Sequence, residues 1–175
     1  MINAREWMGA KEDEYRSRLR HASLVVEADY SHADVELILQ AFGARLRKIM
    51  GSGGFSWHKA FDDYPACLLV GMVGTAATAP ESNTFWPEFW RNVGHRSITE
   101  MQPYVGDLFL QALSRFRLPL FGDVVKQRFV GPAAMHAAIP AAGTGRLVDL
   151  VLNRRRIDLA LTGGSLLSWL SGHDS

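Results

Sequence analysis

The stretch from Pro65 to Pro80, PACLLVGMVGTAATAP, carries no charge and no large polar side chain. Leu68, Leu69, Val70, Met72 and Val73 leave no polar side at either the helical or the strand period, so the segment has to be surrounded. It is too short for lipid, which a spanning helix crosses with about 20 apolar residues. The stretch therefore predicts a buried central helix over 66–79, and the rest of the chain must supply what covers it. The flanking patterns are helical. The expected fold is all-α or mostly α, a compact irregular bundle of about seven to nine helices around the central one. A minor strand near 124–130 is the one exception the pattern allows.

Before the central stretch, residues 1–10 read as a flexible N-terminal arm. Tyr15, Leu19, Ala22 and Val26 then recur at helical spacing, which predicts a helix from Lys11 to about Asp29. Ser31 with Asp34 reads as an N-cap and its capping-box partner. The helix that follows carries the stripe Val35, Ile38, Leu39, Phe42, Leu46 and Ile49, and stops at Gly51-Ser52-Gly53-Gly54. Asp62 or Asp63 is placed to cap the central helix.

After it, FWPEFWRNVG predicts a short helix with Pro87 in its first turn and Gly94 at its exit. A helix over about 99–116 is expected to turn Tyr104, Leu108, Leu110, Ala112 and Leu113 inward. Gly131-Pro132 opens a further apolar helical turn or two. The tail is expected to end in a short helix bearing Leu166, Leu167, Trp169 and Leu170. Such an apolar last helix suggests that residues 11–175 form one helical domain at the N-terminal part of a longer, bacterial-type protein.

Charge excludes a strong field of either sign, since the 175-residue chain has a formal net charge of +1. The single cysteine, Cys67, falls inside the apolar stretch, so no intrachain disulfide is available. The first residues lack an apolar signal core, and the expected location is cytoplasmic, with no membrane partner. Histidines 21, 32, 58, 95, 136 and 173 show no metal-ligand spacing, and no motif calls for a cofactor. The sequence sets no oligomeric state.

Three sets of residues carry functional readings. Phe85, Trp86, Phe89 and Trp90 place aromatic rings on two adjacent sides of one short helix, which either enters the core on both sides or offers one side to a protein partner or to further domains of the same chain. Charge is uneven: residues 111–175 hold 8 basic and 4 acidic side chains. Arg115, Arg117, Lys126, Arg128, Arg154, Arg155 and Arg156 make that third the candidate nucleic-acid surface, because phosphate contacts need clustered guanidiniums rather than total charge. His136, among small apolar residues, and His58 with Asp62 are the weak acid–base candidates for an enzyme. The leading reading is a non-catalytic helical interaction module. Nucleic-acid binding through the C-terminal arginines is its alternative, and an enzyme a distant third.

Overall fold

The computed structural model describes residues 4–53, 56–79, 82–96, 98–121 and 130–137, all within one compact unit that ends at Ile139. Among the described residues there are seven α-helices and no strand. They are α1 (Ala4–Leu19), α2 (His32–Gly51), α3 (Lys59–Asp62), α4 (Pro65–Thr78), α5 (Ser82–Val93), α6 (Gln102–Arg115) and α7 (Val130–Ala137). Single 3-10 turns sit at Val25–Ala28 and Thr99–Met101. The fold is mostly α, as the pattern predicts. Residues 124–129 lie outside the described ones; Val130 is helical.

α4 is the expected central helix. Every residue from Pro65 to Ala76 is buried, and α1, α2, α5, α6 and α7 all pack against it. Tyr64 is non-helical and Pro65 opens the first turn, where its missing N–H costs nothing. α2 comes close because α4 presents glycines to it. A Cβ on Gly74 would stand 2.4 Å from Val35 Cγ2, and one on Gly71 would stand 3.0 Å from Leu39 Cδ2. On the other side of α2, a Cβ on Gly43 would fall 1.7 Å from the Val93 carbonyl oxygen at the end of α5.

α2 has the predicted cap. The Asp34 amide donates to Ser31 Oγ at 3.0 Å and the Ser31 amide to Asp34 Oδ2 at 3.3 Å. Val35 through Leu46 of the expected stripe are buried. α5 leaves its last turn through Gly94, at φ +69. The His95 amide reaches back to the Trp90 carbonyl and the Gly94 amide to that of Arg91, a Schellman closure.

Four expectations need correction. α1 begins at Ala4, so residues 4–10 are helix rather than arm, held by buried Met8. α1 ends at Leu19, and Ala22 and Val26 belong to the following turns. α5 begins at Ser82, which puts Pro87 inside it. The inner stripe of α6 is Val105, Phe109, Ala112 and Leu113, and Tyr104 is 60% exposed, edge-on to Trp57. The i, i+4, i+7, i+8 set starting at Val105 includes Phe109, whose ring outweighs the aliphatic set chosen from Tyr104.

Candidate anion-binding cleft

Two helix ends build the site. α6 closes as α5 does: the Leu118 amide donates to the Leu113 carbonyl at 2.9 Å and the Arg117 amide to that of Ser114 at 3.0 Å. This turn buries Leu118 beside Leu113. The position that must turn left-handed is Arg117, at φ +56. Glycine takes that conformation freely, whereas an L side chain pays roughly 1–2 kcal/mol for it. A guanidinium thus stands where backbone preference asks for glycine.

Arg115, Phe116 and Arg117 line a cleft of about 320 Å³ together with Arg16 and Arg20 from the end of α1. Arg16 is fixed in place by Glu12, whose Oε1 accepts from Arg16 Nη2 at 3.0 Å. Glu12 is itself only 3% exposed and caps the central helix from outside it. Its oxygens accept the amides of Ala66 at 3.2 Å and Cys67 at 2.9 Å. A carboxylate at a helix N-terminus satisfies orphan amides and meets the positive end of the dipole. Asp63, an expected cap, instead pairs with Arg45 at 2.6 Å.

The cleft is left electrically unbalanced. The guanidiniums of Arg20, Arg115 and Arg117 make no hydrogen bond or ion pair among the described residues. Arg16 Nε is buried and finds no acceptor there. The carbonyl ends of α1 and α6 offset part of this charge. The remainder, with one aromatic wall, suits a phosphate-bearing ligand: guanidiniums form forked bonds to phosphate oxygens and Phe116 offers a face for stacking.

The other candidates fall elsewhere. Phe85, Trp86, Phe89 and Trp90 are between 0 and 8% exposed. Phe89 and Trp90 pack with Phe61, whose ring also lies 5.1 Å from that of Phe42. Both aromatic sides of α5 enter the core, so this helix offers no aromatic surface to a partner. α2, α4 and α7 pack against α5, and Phe61 from α3 adds a ring beside Phe89 and Trp90, contacts no sequence period reveals.

His136 is fully buried and saturated. The Val25 amide donates to Nδ1 at 3.3 Å, and Nε2–H donates to the Pro119 carbonyl at 2.8 Å. Burial lowers its pKa to about 4, against the raising effect of the Pro119 carbonyl. With both ring nitrogens occupied inside the core, it is a structural tie and holds no proton for chemistry. His58 is exposed before α3, and Asp62 lines a smaller pocket without His58. Burial also raises the Cys67 thiol, keeping it protonated.

Arg128, Lys126 and Arg154 to Arg156 lie outside the described residues. Of the predicted basic set the structure brings Arg115 and Arg117 together, and adds Arg16, Arg20 and Phe116. The i, i+4 ladder Glu12-Arg16-Arg20 was the available signal for the first two. Among the described residues no group of three His, Cys, Asp or Glu side chains can hold a metal, and no helix is long and apolar enough to cross a membrane. The chain matches no family model, no curated protein and no solved structure.

Proposed function

We propose that this domain is a non-catalytic binding module that holds the phosphate backbone of a nucleic acid in the arginine cleft. The observation that carries the reading is the convergence of Arg16, Arg20, Arg115 and Arg117 on one cleft in which three of the four have no acidic partner among the described residues. Charges of one sign brought together repel unless a counter-ion joins them, and phosphate is the anion that arginine forks fit best. A saturated His136 and an isolated His58 give no support to an enzyme. A reducing cytoplasmic setting suits both the ligand and the buried free thiol of Cys67.

The test is fluorescence anisotropy with labelled single- and double-stranded DNA and RNA at about 50 and about 200 mM salt. Affinity is expected to fall with salt at a logarithmic slope of about 0.7 per neutralised phosphate on a single strand. Combining Arg20→Ala, Arg115→Ala and Arg117→Gly removes three charges at exposed positions, and is expected to abolish binding while the helical circular-dichroism signal stays. Failure of every strand to bind at the lower salt would discard the reading.

A further inference from the structure

The arginine cleft is walled by the ends of two helices that do not pack broadly on each other. Among the described residues α1 and α6 each rest on α4, and no extensive contact joins the two. Guanidiniums of like charge push such walls apart, so their spacing has to be fixed by something else. The chain leaving each wall is well anchored. Beyond Arg117, the closing turn of α6 leads in two residues to Pro119, held by the Leu118 amide on the Leu113 carbonyl and by the buried Leu118 side chain. Beyond Arg20, the chain enters the turn at Val25–Ala28. Arg18 ties that turn back to α1. Its Nη1 donates to the carbonyls of Ala28 at 2.9 Å and Asp29 at 2.6 Å, and its Nη2 donates to Glu14. Each wall thus extends to one buried attachment point, the Val25 amide on the α1 side and the Pro119 carbonyl on the α6 side.

His136 stands between these two points. Nδ1 accepts from the Val25 amide at 3.3 Å, Nε2–H donates to the Pro119 carbonyl at 2.8 Å, and the residue is fully buried. The two nitrogens belong to one rigid ring, so the span between them does not stretch. α7, which carries the ring, is itself packed on α4 and on the Val25–Ala28 turn. Resting on the phosphate-binding reading, we infer that His136 is a positioning residue for the cleft: through Val25 and Pro119 it sets the spacing between Arg16 and Arg20 on one wall and Arg115 and Arg117 on the other, so that one phosphate backbone meets both walls.

Fluorescence anisotropy of the full chain at pH 7, with a labelled single-stranded oligouridine and a labelled DNA duplex at about 50 to about 200 mM salt, reads both affinity and salt slope. His136→Phe keeps a ring in the core and removes both hydrogen bonds. It is expected to weaken binding about 10-fold at the lower salt, and to reduce the logarithmic slope by about 0.7 on the single strand or about 0.9 on the duplex, as the loss of one phosphate contact does. His136→Gln, which can keep the donor to Pro119 alone, is expected to fall between. Gly74→Ala loses stability at the contact of α2 with α4, away from the tie, and is expected to keep the wild-type slope while folded. A His136→Phe chain that is folded by near-ultraviolet circular dichroism and has the wild-type slope would overturn the inference while the arginine cleft stands. Should that chain not fold, Arg18→Lys decides in its place. It keeps the charge but loses the fork across Glu14 and the two carbonyls, and a wild-type slope there would overturn the inference equally. Absence of wild-type binding to either probe at the lower salt would instead remove the cleft reading itself.

Discussion

His136 shows how much a single side chain can hold. It joins the turn at Val25, the segment leaving α6 at Pro119 and helix α7, and its ring lies 5.0 Å from that of Phe121. The geometry fixes one tautomer, Nε2–H with Nδ1 accepting, and only the neutral ring satisfies it. Its folded pKa of about 4 lies below the ordinary 6.5, so the unfolded chain takes up the proton first as pH falls. The stabilisation is complete above about 6.5 and is lost progressively down to about 4. Urea midpoints are therefore expected to drop between pH 7 and 4.5, and His136→Gln to flatten that slope while lowering the plateau. Asp34 acts in a lower window. Burial opposes its ionisation, but hydrogen bonds from Lys11 and from the Ser31 hydroxyl and backbone hold its carboxyl down to about 2. Its contribution is present above the ordinary 3.8 and is lost between there and about 2. Arg117 makes the opposite kind of case, a residue kept against its backbone preference. Arg117→Gly is expected to raise thermal stability by up to about 1 kcal/mol and to weaken strand binding. A variant that loses stability instead would mean that the arginine serves the fold.

At the scale of elements, close approach decides. The three glycines at the contacts of α2 with α4 and α5 rank by what a methyl group would meet. Gly43→Ala drives Cβ into the backbone oxygen of Val93, which can move only with α5. Gly74→Ala meets the stiff, β-branched Val35, and Gly71→Ala meets the flexible end of Leu39. The expected order of lost stability by chemical denaturation is Gly43, then Gly74, then Gly71. Val35→Ala should recover part of the Gly74→Ala loss and none of the Gly43→Ala loss, because the crowding is local. The central helix and the cap of α2 were legible because each is local: an uninterrupted apolar run, and two side chains three residues apart. The start of α1 was not, since Met8 becomes a core residue only by meeting other helices. Nor was the cap of α4, because Glu12 lies 54 residues from the amide of Ala66 that it accepts.

Across the whole molecule, the candidate site was half legible. Arg115 and Arg117 stood out through the uneven charge of the last third. Arg16 and Arg20 did not, because residues 1–58 balance 8 basic against 8 acidic side chains. That balance conceals who is spoken for. Glu14 and Asp34 serve Lys11 and Arg18, and Glu12 serves Arg16, which leaves Arg20 uncompensated at the cleft. The aromatic helix misled for a related reason: its two-sided pattern fits burial and display equally until α2, α4 and α7 are in place. One contact remains whose reach is longer than its length. Because Glu12 holds Arg16 with one hand and the first amides of α4 with the other, the rim of the domain and its centre share a fastening. Deuterium uptake at Ala66 and Cys67 should then run slowly, and more slowly still with a strand in the cleft; Glu12→Gln should quicken it and cut the difference between bound and free. Two protons at the middle of the fold would thus keep time for an event at its edge.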